Sequence, residues 1–288
     1  MPQQPDRRGP VVFLVLLAIV GLIVVAWGAG RTDAKGAVDP ARPHRTGAGA
    51  AVEPVETPAA TRRGEPGRPV PLPDGGTRVF GGQPLRHVYE LIVTIADGSP
   101  GTDGDYSHDV PRAVVQTYLD AAHRHHALLL LDLQPGRSTF PEVAKRWAWA
   151  LRDPWVGLAL DPEWRMGPHQ VPAHTIGQVG APEVNRTSHW LAGLTRSAGL
   201  PQKLFVVHQF RVDMVQHLDD VVRRRGLATV QHVDGFGTRK QKLATYHAVA
   251  RPQRFTMGLK LFYDEDVDRM GPVPVHALRP PVRFVSFQ

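Results

Sequence analysis

From His87 onward the chain alternates short apolar runs with amphipathic segments, the pattern of a parallel sheet covered by helices. The runs Val88 to Ala96, Ala127 to Leu133, Val156 to Asp161, His174 to Gly177, Leu204 to Gln209, Ala228 to Val233, Gly258 to Tyr263 and Val282 to Phe287 predict eight strands. Between them, Thr139 and Glu142 have the spacing of a capping box before a helix over Val143 to Leu151. Pro182 opens a second helix with Val184, Leu191, Leu194 and Ala198 on one stripe and Gly199 as its stop. A third is predicted from Val212 to Arg225, closed by Gly226. Eight strands in about 200 residues predict a small (β/α)8 barrel of the TIM type, near the lower size limit of that fold. An open doubly wound α/β sheet is the alternative that the same pattern allows.

Before this domain the pattern changes twice. Val11 to Trp27 carry no charge, and extension through Gly30 gives twenty residues, the length of a membrane span. Ala26, Trp27 and Gly28 make a poor cleavage site, so residues 11–30 read as an uncleaved signal anchor, with secretion after cleavage as the alternative. Arg7 and Arg8 precede the apolar run, which places residues 1–10 in the cytoplasm and the rest of this single-pass membrane protein outside. Residues 31–86 are rich in Pro, Gly and Ala, with Phe80 their one aromatic, and read as a disordered linker. The α/β domain is assigned to residues 87–288.

The net charge of +7 first suggests a nucleic-acid partner. Residues 1–86, however, hold eleven Lys/Arg against seven Asp/Glu, so the domain is close to neutral. Its one basic run, Arg223 to Arg225, reads as a solvated helix end, and no nucleic-acid partner is expected. The lipid bilayer is the partner of the N-terminal segment. The absence of cysteine excludes disulfides, thiolate metal sites and a cysteine nucleophile.

The strand ends carry the candidate chemistry, because the C-terminal mouth of a barrel collects catalytic groups. They finish with Asp132, with Asp161 and Glu163, with His208 and Gln209, with His232 and Asp234, and with Asp264, Glu265 and Asp266. Residues two apart on a strand face the same side, so Asp161 inside brings Ala159 and Gly157 inside with it. The same parity puts Lys260 and Asp264 on one face. A lone buried ammonium is costly, so either an acidic mouth residue pairs with Lys260 or the parity is wrong. Asp161 and Glu163 should project into one cavity, where a neighbouring carboxylate raises the pKa of a glutamate enough for general-acid work. Trp164 beside them offers a flat face for a sugar ring. His208, His232 and Asp234 could alternatively ligate a metal, although their spacing matches no metal signature. No cofactor is expected.

The segments VGLALDPEW (156–164), KLFVVHQF (203–210), LKLFYDED (259–266) and RFVSFQ (283–288) resemble those of an uncharacterised group of secreted or membrane-anchored actinobacterial proteins, over roughly residues 87–288. LALDPEW is in addition similar to the Asp-x-Glu strand end of lysozyme-type glycoside hydrolase barrels. That likeness implies Glu163 as the general acid and Asp161 as its assistant, and Asp97 is the candidate for that family's acid near the end of the first strand. The expected function is an extracytoplasmic glycoside hydrolase-like activity on a cell-envelope glycan. Glu163 protonates the leaving oxygen while Asp161, Asp132 or Asp234 activates water or stabilises the transition state, and Trp164, His208, Gln209, His232, Lys260 and Asp264 bind substrate. Noncatalytic binding of a glycan or other cell-wall polymer, and metal-dependent hydrolysis, are the alternatives.

Overall fold

The computed structural model describes residues 86–288 together with three short strand segments before them, Ala50–Val52, Val79–Phe80 and Gln83–Pro84. The expected cytoplasmic tail, the 11–30 span and nearly all of the 31–86 linker lie outside the described residues. Among the described residues no helix is long and apolar enough to cross a membrane.

Besides a two-residue pair, Val179–Gly180 with Val215–Gln216, eight strands and six helices follow among the described residues in the order β1 (Arg86–Ala96), β2 (Ser107–Asp109), α1 (Arg112–Arg124), β3 (Leu128–Leu133), α2 (Phe140–Arg146), α3 (Ala148–Leu151), β4 (Val156–Leu160), α4 (Ala181–Ser197), β5 (Lys203–Gln209), β6 (Leu227–Val233), α5 (Arg239–Val249), β7 (Thr256–Leu261), α6 (Pro272–His276) and β8 (Val282–Phe287). The sheet runs β2-β1-β3-β4-β5-β6-β7-β8. All pairings between β1 and β8 are parallel, while β2 lies antiparallel on β1. The segment Ala50–Val52 pairs antiparallel with both β8 and β1.

This mixed, curled half-barrel corrects the expected (β/α)8 barrel and equally the open doubly wound sheet. Seven parallel strands form, not eight, because His174–Gly177 does not enter the sheet. Gly177 instead donates its N–H to the Glu163 carbonyl at 2.6 Å, and Gln178 N–H bonds Arg165 O at 3.1 Å. The expected helix from Val212 to Arg225 is also absent: Val212–Met214 makes a 3-10 turn, Val215–Gln216 pairs with Val179–Gly180, and His217 takes a left-handed φ of 55° that stops any helix. Asn185 takes over its backbone groups, donating to Asp220 O and accepting from Val222 N–H. Arg223 to Arg225 are therefore loop residues. The capping box at Thr139 and Glu142 is present, and Pro182 lies in the first turn of α4.

The curl divides the apolar residues into two layers. Outside, α1 to α5 cover the sheet through a large core that includes Leu129, Leu131, Phe140, Leu158, Phe205 and Tyr246. Inside, Val88, Leu130, Ala159, Leu204, Val206, Val230 and Phe284 form a small plug at the N-terminal ends of the strands. Two residues further along each strand the interior becomes polar: Glu90 follows Val88, Asp132 follows Leu130, Asp161 follows Ala159, His208 follows Val206, His232 follows Val230 and Ser286 follows Phe284. A structural barrel fills such positions with Val, Ile and Leu. Burying ions there costs several kcal/mol each before pairing, about the size of a whole domain's net stability, so this layer is retained for something other than stability.

Candidate active site

The interior polar layer centres on His208, which is fully buried. Its Nδ1 is 3.0 Å from Asp234 Oδ2, its Nε2 is 3.1 Å from Glu90 Oε1, and Asp132 Oδ2 is 3.7 Å from the same nitrogen. Burial alone would lower the His208 pKa, but the charge of Asp132 and the bonds to Asp234 and Glu90 raise it well above the ordinary histidine value. His208 is thus an imidazolium held by carboxylates. The neighbouring His232, whose ring centroid lies 4.9 Å away, behaves oppositely: burial and the His208 charge lower it to about 3. Neutral His232 exchanges a 3.0 Å hydrogen bond with Ser286 Oγ. Gly258 makes room for its ring, since a Cβ there would come within 3.0 Å of His232 Cδ2.

The carboxylates separate into two protonation classes. Burial opposes ionisation of Glu90, yet the His208 bond and the charges of Lys260 and His208 bring it down to about 2. Asp234 is lowered in the same way, burial being overcome by the His208 bond and charge. In contrast, burial and the Glu163 and Asp132 charges raise Asp161 well above its ordinary value. Burial raises Asp132 to about 6. Glu163 is raised to about 7, by burial first and then by the Asp234 charge. Lys260 belongs to the same group: burial would lower it, but Glu90, Asp234, Asp161 and Asp132 hold it raised and charged.

Most of the sequence-derived residues therefore converge. Asp132, Asp161, Glu163, Asp234, His208, His232 and Lys260 act on one another in one interior layer. The parity argument holds for Asp161 and for Lys260, whose acidic neighbours are interior residues. Three residues fall elsewhere. Gln209 faces the helices, where its Oε1 accepts from Gln231 Nε2 at 2.7 Å and its own amide bonds Arg211 O. Asp264 is exposed, because β7 ends at Leu261 and the alternation ends with it, and Asp266 turns inward instead. Trp164 is only 7% exposed, so it packs in the wall and gives no open face to a sugar. Its indole Nε1 is buried without a full hydrogen bond, near enough to Glu163 to lower that group slightly.

Glu90 is the residue that the strand-end reading missed, since it lies mid-strand. Its signal is a lone carboxylate in the apolar run HVYELIV, on the parity of Val88. The proposed first-strand acid, Asp97, instead pairs with His108 at 2.6 Å near the surface. Asp161 and Glu163 do act on each other, as expected, and Asp234 adds a second negative charge that raises Glu163.

Local chain geometry fixes Glu163. Pro162 leads a single 3-10 turn through Trp164, and the Gly177 N–H holds the Glu163 carbonyl. A Cβ on Gly177 would come within 2.7 Å of that oxygen, so only glycine fits. Oδ1 of Asp132, Asp161 and Asp234 and Nδ1 of His232 are buried with no hydrogen-bond partner in the protein. An unsatisfied buried polar atom costs about 1–3 kcal/mol, so these four on one layer call for water or the polar groups of a ligand.

Among the described residues, the set whose ligand atoms converge within 4.8 Å is Glu90, His208 and His232, not His208, His232 and Asp234. Both His208 nitrogens already face carboxylates, and the Lys260 charge lies in the same layer, an arrangement that suits paired ions better than a divalent cation. No family model matches the chain, and no curated protein or solved structure gives a significant match to it.

Proposed function

We propose that residues 87–288 form a glycoside hydrolase-like domain that cleaves a cell-envelope glycan with its interior carboxylates. The observation that carries this reading is the split in protonation. Glu163, at about 7, keeps a proton near neutral pH beside Asp234, which is ionised. Two carboxyl groups of opposite protonation state are what acid–base cleavage of a glycosidic bond requires. Glu163 gives its proton to the leaving oxygen as the bond to the anomeric carbon breaks. Asp234 takes a proton from the water whose oxygen bonds to that carbon. Glu90 and Asp234 are balanced by His208 and Lys260, so the charge of Asp132 leaves the layer suited to a developing oxocarbenium ion.

An extracytoplasmic location accords with an envelope substrate, the domain being held at the membrane by residues 11–30. The deciding experiment is hydrolysis of wall polysaccharide, chitin oligomers and α-glucans by the wild type and by Glu163→Gln. Loss of cleavage in the variant with binding retained supports the reading. Absence of cleavage by the wild type overturns it in favour of a noncatalytic glycan-binding domain.

A further inference from the structure

We propose that Phe210, Phe236 and Phe262 form the wall against which the apolar face of a pyranose ring is seated, the role that sequence gave to Trp164. The inference rests on the glycan reading and names the surface that would recognise the sugar.

The three phenylalanines follow the ends of three adjacent strands, β5, β6 and β7. Each lies two residues beyond a charged interior group: Phe210 after His208, Phe236 after Asp234, and Phe262 after Lys260. Phe210 and Phe262 directly follow the last residues of β5 and β7, and Phe236 follows the end of β6 by three, so all three stand in the loops just past the charged layer. All three are partly exposed, unlike the buried Trp164. The Phe236 and Phe262 rings meet edge to face with centroids 5.6 Å apart. Phe210 abuts the same loop, its Cβ lying 3.3 Å from where a Cβ on Gly235 would stand. Lys260 Nζ lies 5.7 Å from the Phe262 centroid, which places that ring beside the charged layer.

The wall is also rigidly mounted. Asp266, buried between the two loops, accepts from Gly237 N–H at 3.2 Å and from Phe262 N–H at 2.9 Å. It pairs with Lys242 Nζ at 3.1 Å, and Lys242 donates in turn to the carbonyls of Gly235 and Lys260. One buried ion pair thus sets the backbone on both sides of Phe236 and at Phe262, so the rings are placed before a ligand arrives. Of the three acidic residues after β7, Asp266 serves this mounting.

A hexopyranose matches this combination of surfaces. Its axial C–H face packs on phenyl rings, and its hydroxyls reach the carboxylates, imidazole and ammonium below. An acyl chain would offer nothing to the partnerless oxygens of Asp132, Asp161 and Asp234 or to His232 Nδ1, and a polyanion would meet carboxylates.

The test uses the full-length chain with Glu163→Gln to stop turnover, titrated calorimetrically with chitotetraose, maltotetraose and soluble peptidoglycan fragments. One of these should bind, and adding Phe236→Ala or Phe262→Ala should weaken it roughly tenfold. Phe262→Tyr should stay within about twofold of the parent, and Phe236→Leu, which keeps bulk without the π face, should follow the alanine variant. Unchanged affinity in the alanine and leucine variants overturns the wall, as does failure of all three sugars to bind the parent. The two readings separate cleanly. Cleavage by the wild type with no KM change in the phenylalanine variants refutes the wall alone, whereas phenylalanine-dependent binding without cleavage refutes catalysis alone.

Discussion

Glu90 Oε1 lies 3.1 Å from His208 Nε2 although β3 and β4 stand between their strands in the sheet. Strands spaced at about 4.8 Å would hold the two residues roughly 14 Å apart in a flat sheet, so this contact spans the concavity and the curl creates it. The ion pair also links the curl to pH. The folded Glu90 value of about 2 lies below its ordinary value of 4.5, so its contribution is full above about 4.5 and is lost as pH falls towards 2. His208, raised, contributes below its ordinary 6.5 and loses that contribution as pH rises through its raised value.

Glu90→Gln should therefore destabilise the domain by about 2 kcal/mol at pH 7, the scale of a hydrogen bond to a charged group. The gap from wild type should narrow between pH 4.5 and pH 2. Thermal unfolding across that range reads it directly. A gap that is constant with pH would show that Glu90 is not ionised in the folded domain.

Glu163→Gln should cost roughly 10² to 10⁴ in hydrolysis, the usual contribution of general-acid catalysis. Stability should move the other way. A carboxyl raised from 4.5 to about 7 stabilises the fold below 4.5 and loses that contribution as pH rises through 7. Removing it should leave the melting temperature equal to or above wild type at pH 8. Glu142→Gln, in the capping box of α2, keeps a capping acceptor and should retain both activity and stability. A fall in melting temperature at pH 8 equal for both variants would mean that Glu163 is a structural residue.

The rate should depend on pH through the same proton. Protonated Glu163 is the active form, so kcat/KM should fall as pH rises through about 7. Residual activity of Glu163→Gln should lack that limb. An alkaline limb that survives unchanged in the variant would assign the proton to another group, with Asp161, also raised, the first candidate.

Much of this site was legible because strand parity is a local property. Small residues at Gly157 and Ala159 place Asp161 inside, and the cost of a lone ammonium correctly gives Lys260 acidic company. Legibility ended where regular strand ended. Asp264 and Asp266 follow Leu261 in a loop, and which of them turns inward depends on Lys242, which is distant in sequence. Trp164 is adjacent to Glu163 in the chain, but the 3-10 turn at Pro162 sends the indole into the wall. Glu90 was hidden by the expectation that chemistry collects at strand ends. The eighth strand failed for a similar reason: an apolar run does not reveal whether its backbone partners are a sheet edge or the loop at Glu163. The apolar spacing of Val212 to Arg225 satisfied the helical period, but His217 is left-handed and the backbone at Asp220 and Val222 bonds to the distant Asn185 instead of within a helix.

Chelation should leave the domain unaffected. Protein purified without chelator should carry no stoichiometric metal by elemental analysis, and its melting temperature and activity should survive EDTA. A divalent ion at Glu90, His208 and His232 must displace the His208 proton and share the layer with Lys260. Near-stoichiometric zinc or manganese that disappears in the His208→Ala, His232→Ala double variant would make this a metal centre and end the acid–base reading.

The proposed substrate requires the domain to be outside the cytoplasm, and this is testable without knowing the glycan. Residues 11–30 provide an apolar run of spanning length with Arg7 and Arg8 on its N-terminal side. Moving arginines across the bilayer is costly, so the expected orientation keeps the N-terminal flank inside and exports the chain after Gly30. The Pro- and Gly-rich stretch that follows should be cleavable, whereas the hydrogen-bonded half-barrel should resist mild digestion. Protease added to intact cells should therefore release a fragment close to residues 87–288, detected by an antibody against the C-terminus, while a cytoplasmic marker stays whole. Moving the two arginines to positions just after Gly30 should reverse the orientation and protect the fragment. Protection in the wild type, alongside cleavage of a known external protein, would place the domain in the cytoplasm and remove the envelope glycan as its substrate.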